Sequence, residues 1–190
     1  MAIKSNFTNM VLVLTLTCLV CSALLGGAYA LTKEPIEKAD LEKTRAAISE
    51  VLPEGGTIET EAREVSVSGT PYKYYVSKDG DEVVAYAIES KTGGFGGELT
   101  VMVGIDARTG NVWNTAPLSH SETPGLGAKC DDKDSKFRTQ WQNLDPSAHA
   151  FEVKKDIDAI TASTITSKAY TKCVTQALEA YKVLKEGSHE

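Results

Sequence analysis

An uncharged apolar run occupies the chain from Val11 to Ala30, and no other feature limits the possible folds as strongly. A helix of roughly 20 such residues is long enough to cross the hydrocarbon core of a bilayer. Lys4 precedes the run, and basic residues tend to stay on the cytoplasmic side. Residues 1–31 are therefore expected to be a cytoplasmic tip and a single-pass anchor in a bacterial inner membrane, with the rest of the chain on the periplasmic or outer face.

A cleaved secretory signal is the alternative interpretation of this run. Ala28-Tyr29-Ala30 has the small-x-small pattern of a cleavage site. The apolar part of a secretory signal usually spans only about 7–15 residues, which favours a retained anchor here. Both interpretations export the domain that follows.

Charge and reactive side chains exclude several classes of function. The net charge of -6 and the isoelectric point near 5.2 provide no basic patch for phosphate backbones, so no nucleic-acid partner is expected. His120, His149 and His189 share no metal-ligand spacing with the cysteines, so no metal site is expected. The sequence contains no recognisable arrangement of nucleophile, base and acid, so no catalytic residues are expected.

Two regions are expected after the anchor. Residues 32–56 are predicted to be a connecting helix, because apolar positions over Glu34–Val51 follow helical spacing. Pro35 suits a first helical turn, and Pro53 with the glycines that follow it ends the helix. Residues 57–190 are then the extracytoplasmic domain.

Short strands dominate the first half of this domain. Short segments rich in apolar and aromatic residues and bounded by turn residues predict strands at 62–67, 72–77, 83–89, 99–105 and 111–117. A short helix is expected around Phe137 and Trp141, one more strand at 151–153, and a closing helix over Thr166–Lys185. Strands grouped before helices predict an α+β fold with a largely antiparallel sheet and flanking helices.

Hydroxyl residues crowd the junction that precedes the closing helix. The start of a helix has unpaired N–H groups and a partial positive charge, both of which favour a phosphate. Thr164 lies just ahead of the predicted helix, Thr166 and Ser167 offer hydroxyl donors, and Lys168 offers a positive charge. The same residue types also suit a strand end and an ordinary helix cap, so the junction alone leaves both interpretations open.

The tetrapeptide Thr161-Ala162-Ser163-Thr164 resembles a flavin-attachment pattern. That pattern, Ser/Thr-Gly-Ala-Thr, belongs to the FMN-binding domains of the RnfG and NqrC type, found in the Rnf electron-transport complex and the sodium-pumping quinone reductase. The resemblance implies FMN joined covalently to Thr164 by a phosphodiester, which would make the chain a phosphoprotein, with Thr161 and Ser163 in the recognition pattern. Ala162-Ser163 replaces Gly-Ala, and both replacements are small.

A second segment resembles the same family. Residues 119–129 read SHSETPGLGAK and match its His-x-Glu-Thr-Pro-Gly-Leu-Gly loop. Pro-Gly makes a tight turn, and glycines let backbone approach a flat ring closely. The resemblance implies contacts to the flavin from Glu122, Thr123, Gly125, Leu126 and Gly127. The glycine cluster Gly93–Gly97 resembles the family's glycine-aromatic-glycine turn more weakly, with Phe95 approaching the flavin.

These resemblances imply a membrane-anchored flavoprotein subunit of an ion-translocating, Rnf-type ferredoxin:NAD+ electron-transport complex, with no substrate chemistry of its own. Its expected partners are the other membrane subunits of the Rnf complex, lipid around one helix, and a flavin transferase that uses FAD and magnesium. The NqrC component of the quinone reductase, usually longer, is one alternative, and a stand-alone exported flavin electron carrier is another. If both loops meet at the flavin, Cys130 and Cys173 come close to each other. The sequence does not decide whether they form a disulfide.

Overall fold

The computed structural model describes residues 6–53 and 55–187. Lys4, on which the predicted orientation depends, and His189 lie outside these ranges. The chain divides into two compact units, one ending at Glu42 and the other beginning at Lys43.

Helix α1 runs without a break from Phe7 to Val51. The anchor and the connecting helix predicted from the sequence are thus parts of one helix, and Pro35 lies inside it. Two ion pairs between side chains four residues apart span the proline: Lys33 with Glu37 at 3.9 Å, and Glu34 with Lys38 at 2.8 Å. Such pairs support a helix locally. The apolar side chains of the first part of α1 are exposed, and this part is long and apolar enough to cross a membrane.

The second unit is built on one five-stranded sheet. The strands follow one another in chain order and every neighbouring pair is antiparallel, which confirms the predicted α+β architecture with its antiparallel sheet. The tight connections between the first three strands are glycine turns, as expected where the backbone needs a positive φ. The strands are β1 (Thr57–Val67), β2 (Thr70–Asp79), β3 (Glu82–Gly93), β4 (Glu98–Asp106) and β5 (Val112–Ser119).

Apolar side chains cover both faces of the central strand β4. On one face Val101 and Val103 belong to a core with helix α3, which runs from Thr164 to Gly187. On the other face Met102 packs with the last turn of α1 around Val51. A strand buried on both faces is a continuous apolar run rather than an alternating one. The sequence of β4, ELTVMVGID, has that form.

Two predicted elements differ from the structure. Residues 151–153 are not a strand: Val153 forms only an isolated bridge with Ile157. The N–H groups of Phe151 and Glu152 instead bind the Asp156 carboxylate at 2.8 and 2.7 Å, which closes a local loop. The short helix α2 covers only Lys136–Thr139, so Trp141 lies in the turn that follows it.

Cys130 and Cys173 are free thiols, both fully buried in the core. Burial raises the pKa of each thiol to about 12. The structure therefore has no disulfide between them.

Candidate functional site

The start of α3 and the loop that follows β5 form a cleft of about 340 Å³. This volume is at the lower end of the range of small-molecule pockets, roughly 300–1,000 Å³. The two sequence segments that the attachment and loop motifs occupy thus lie together in space. The lining residues are Phe95, Glu122, Thr123, Leu126, Gly127, Ala162, Ser163, Thr164, Ile165 and Thr166.

Ser167 holds the backbone at the start of α3. Its hydroxyl oxygen accepts the Ile160 N–H at 2.9 Å, and the hydroxyl donates to the Ser163 carbonyl at 2.9 Å. The side chain is fully buried and does not line the cleft. Ser167 therefore stabilises the junction from behind, away from the surface where a phosphate would approach.

Thr164 is the first residue of α3 and lines the cleft. The first intrahelical bond runs from the Ser167 N–H to the Ser163 carbonyl, at 3.0 Å. The N–H groups of Thr164, Ile165 and Thr166 therefore lack intrahelical acceptors, and the helix dipole adds a partial positive charge there. An anion attached at Thr164 Oγ1 would meet this favourable end of the helix.

The hydroxyl groups at the junction differ in access. Ser163, Thr166 and Ser167 are buried, with exposed fractions of 8%, 1% and 0%. Thr161 is exposed but does not line the cleft. Thr164 is half-buried and lines the cleft. Of these five hydroxyl residues, Thr164 is the one that is both accessible to solvent and part of the cleft lining.

Glu122 connects three segments of the cleft through one carboxylate. Its Oε1 accepts the Phe95 N–H at 2.8 Å, and its Oε2 accepts the Thr166 hydroxyl at 2.8 Å. The residue itself is 7% exposed, and its own N–H donates to His120 Nδ1 at 3.4 Å. The carboxylate thereby joins the glycine cluster, the loop after β5 and the first turn of α3.

Glycine is required where these segments approach one another. A Cβ on Gly127 would lie 2.7 Å from Thr166 Oγ1, closer than real Cβ contacts allow. A Cβ on Gly96 would collide with the backbone carbonyl of Ser121. Both glycines therefore permit the close packing that brings the Glu122 carboxylate to its donors.

Exposed apolar side chains rim the cleft. From Lys43 onward, the described part of the chain exposes four large apolar side chains, and three of them line this cleft. They are Phe95, Ile165 and Leu126, with exposed fractions of 68%, 55% and 42%. Their convergence at one site marks a surface suited to an apolar group of a ligand.

The structure brings together seven of the eleven residues predicted for the site: Glu122, Thr123, Leu126, Gly127, Ser163, Thr164 and Thr166. The other four do not line the cleft. Thr161, Gly125 and Lys168 are exposed outside it, and Ser167 is buried behind it. Ala162 and Ile165 line the cleft without having been predicted. The signal available for them was their position in the sequence, within two residues of Thr164.

Comparison with known proteins places this geometry in a family. The model of the FMN-binding domain family matches residues 94–179, which contain every residue that lines the cleft. The G subunit of the proton-translocating ferredoxin:NAD(+) oxidoreductase complex of Clostridium ljungdahlii is 33% identical over 175 residues, covering 87% of this chain and 86% of that protein. The chain belongs to the family of G subunits of ion-translocating oxidoreductase complexes.

Further relatives agree with this assignment. The G subunit of the Na(+)-translocating ferredoxin:NAD(+) oxidoreductase complex of Acetobacterium woodii is 31% identical over 192 residues, covering 91% of this chain and 92% of that protein. Among solved structures, NqrC of Shewanella oneidensis matches with a TM-score of 0.50 at 14% identity, over 62% of this chain and 60% of that one. This likeness concerns the fold, and it agrees with the antiparallel sheet and flanking helices described above.

Proposed function

We propose that this chain is the flavoprotein subunit of an ion-translocating ferredoxin:NAD+ oxidoreductase complex, and that it carries electrons on FMN joined by a phosphodiester to Thr164. The names of its relatives support the complex and the overall reaction. The match to the FMN-binding domain supports the cofactor.

One observation supports the attachment point. Among the five hydroxyl residues of the junction, Thr164 is the one that lines the cleft without being buried. Its hydroxyl lies beside three N–H groups that have no intrahelical acceptor, and these would bind the phosphate oxygens of an ester. Covalent attachment also suits an exported carrier, because a dissociable flavin on the outer face would be lost by dilution.

The attachment reaction would be a phosphoryl transfer without net oxidation. Thr164 Oγ1 would form a bond to the flavin-side phosphorus of FAD, and the bond between that phosphorus and the bridging oxygen would break. AMP leaves with the bridging oxygen, and the threonine proton passes to the transferase or to water. A separate flavin transferase with magnesium would supply this step, because no acid–base arrangement in this chain's sequence offers it.

The residues of the cleft fit an FMN group. FMN would supply reversible transfer of one or two electrons. Phe95, Leu126 and Ile165 would cover the apolar part of the ring and exclude water from it. The loop that carries Glu122 and Gly127 would orient the ring's polar edge through backbone N–H groups, as proteins do when they tune a bound cofactor.

The apolar part of α1 bears on where the electron carrier lies. We infer a single membrane crossing with the FMN-binding domain on the periplasmic or outer face, beside the other membrane subunits of the complex. The long apolar helix supports the anchor, and the family supports the membership in a complex. The alternative role in a quinone reductase gains no separate support, since NqrC is similar in fold at low identity.

In-gel fluorescence tests the attachment. The full chain is coexpressed with a flavin transferase, denatured and run on a gel, where only covalently bound flavin remains with the protein. Thr164→Ala is expected to abolish the fluorescent band. Thr161→Ala, which changes an exposed threonine outside the cleft, is the matched control and should retain it. A fluorescent band with Thr164→Ala, or none with the unmodified chain, would contradict the proposal.

A further inference from the structure

Arg138 is a buried cation at the centre of the second unit. Its side chain is 3% exposed, and its guanidinium reaches three acceptors. Nη2 donates to Glu50 Oε1 at 2.6 Å and to the Thr115 carbonyl at 2.5 Å, and Nη1 donates to the Cys130 carbonyl at 3.5 Å. Removing a guanidinium from water is costly, so this arrangement depends on the charge of Glu50 and on the carbonyl partners.

Glu50 lies in the last turn of α1, which is an unfavourable place for a carboxylate. The C-terminal end of a helix carries a partial negative charge, and this turn contains no basic residue. Two cations from another segment offset the repulsion: Arg138 at 2.6 Å and Lys133 at 2.8 Å. The helix end is therefore unfavourable for Glu50 and burial is costly for Arg138, and the tertiary contact between them offsets both costs.

Both walls of the flavin cleft connect to this ion pair. The Cys130 carbonyl that Arg138 binds belongs to a 3-10 helix, Gly127–Asp131, whose first residue lines the cleft. Thr115, whose carbonyl Arg138 also binds, accepts the Tyr170 hydroxyl on its Oγ1 at 2.8 Å. Tyr170 lies on α3, the helix that begins with Thr164. One guanidinium thus links the last turn of α1 to the 3-10 helix and to α3.

We infer that Arg138, oriented by Glu50, is a positioning residue for the flavin: it sets the 3-10 helix against α3 and so fixes the cleft that receives the ring. This inference rests on the proposed function. It makes the last turn of α1 part of the support of the cofactor site, although neither Glu50 nor Arg138 lines the cleft.

Hydrogen exchange and visible circular dichroism of the flavin test this role in the full chain. Glu50→Gln keeps the shape of the side chain and removes its charge. The amides of Ala128 and Lys129, which bond to the Thr123 and Leu126 carbonyls, report on the 3-10 helix. Their exchange is expected to accelerate by about tenfold or more, because local opening becomes easier, while the amides of β3 and β4 stay protected. The visible circular dichroism of the bound flavin should change as well.

Glu59→Gln is the matched control. It removes a carboxylate of the same unit that binds Arg63 and Lys78 at 2.7 Å on strands β1 and β2. It should leave both signals at their values in the unmodified chain. If Glu50→Gln does not fold, Glu50→Asp is measured instead, since it keeps the charge but withdraws the carboxylate by one methylene.

The two signals must change together in the Glu50 variant for the inference to stand. Uniform acceleration of all amides, unchanged exchange, or an unaltered flavin spectrum would overturn it. Failure of the proposed function is a separate result: the unmodified chain would then carry no flavin. In that case, exchange in the flavin-free protein still decides whether Glu50 and Arg138 hold the 3-10 helix.

Discussion

Glu122 Oε2 accepts a hydrogen bond from the Thr166 hydroxyl at 2.8 Å, across 44 positions of sequence. The contact lies inside the cleft and is buried. It joins the two segments that carry the family's motifs, so the loop after β5 and the first turn of α3 are held together by the protein itself.

Glu122→Gln should weaken this junction. A glutamine has one carbonyl oxygen, so while that oxygen accepts the Phe95 N–H, the amide NH2 faces Thr166 Oγ1 as a donor and the threonine hydroxyl proton loses its acceptor. One buried donor is left unpaired, which costs about 1–3 kcal/mol of the free energy of unfolding. Urea unfolding measures this loss. Glu98→Gln, at the exposed start of β4, is the control and should change stability by less than about 0.5 kcal/mol.

Ala162→Gly should stabilise the domain. Ala162 has a φ of 60°, where a side chain is disfavoured, and it stands where the family pattern has glycine. Glycine relieves this strain in the folded state, but its greater freedom in the unfolded chain offsets part of the gain. The free energy of unfolding should therefore rise by about 0.5–1 kcal/mol. Thermal unfolding provides the measurement. Ala148→Gly, at an exposed position without a positive φ, should instead lower the stability, and equal losses in both variants would refute the strain.

Replacing the apolar rim should affect the flavin and leave the fold intact. Ile165→Ser alters a side chain that is 55% exposed, so the free energy of unfolding should change by less than about 0.5 kcal/mol. Loss of its cover over the ring should shift the absorption and the fluorescence yield of the bound flavin toward those of flavin in water. Val183→Ser, at the exposed apolar position outside the cleft, should leave both unchanged. Identical spectra for the two variants would exclude a ring contact at Ile165.

Cys130 and Cys173 should resist alkylation in the folded protein. Burial raises the pKa of both thiols from 9.0 to about 12, which lowers their thiolate fraction near neutral pH roughly a thousandfold. Peptide mass spectrometry after iodoacetamide treatment should find both unlabelled in native protein and fully labelled in guanidinium chloride. If the two cysteines resist labelling even in denaturant and become labelled only after reduction, they form a disulfide, which would contradict the structure.

Asp106 should contribute to stability against acid. Burial opposes its ionisation, but the Thr109 N–H and hydroxyl and the Arg108 N–H donate to the carboxylate and together hold its pKa below the usual value. Because the pKa of Asp106 is lower in the folded than in the unfolded chain, its ionisation adds to the free energy of unfolding. This contribution is complete at pH values above the unfolded pKa, near 3.9, and is lost as the pH falls through the folded pKa. Asp106→Asn should therefore unfold at lower temperature at pH 7 and show a smaller further loss between about pH 5 and pH 2. Asp81→Asn, in the exposed turn before β3, should follow the unmodified chain.

Local patterns predicted much of this protein. The strands, the largely antiparallel sheet and the closing helix follow from short segments bounded by turns and from helical spacing, because residues close along the chain produce those patterns. The merging of the anchor and the connecting helix was missed, since Pro35 is a helix-start signal by itself, whereas the structure continues the helix through it. The strand expected at 151–153 failed because the Asp156 carboxylate binds that backbone instead.

The roles of the hydroxyl groups depend on the tertiary structure. From the sequence, Thr166 and Ser167 are equivalent donors beside Thr164. In the fold, Thr166 is bound to Glu122, and Ser167 holds the junction through Ile160 and Ser163. The Glu50 and Arg138 ion pair likewise spans 88 positions and has no local signature.

The sequence by itself determined the apolar span, the strands of a largely antiparallel sheet and the two motifs of the flavin-binding family, because each is written in residues that are close along the chain. Only the tertiary structure decided which hydroxyl remains accessible and which charges hold the cleft. Those outcomes depend on burial and on hydrogen bonds between distant segments, and such contacts exist only once the sheet and α3 have packed together.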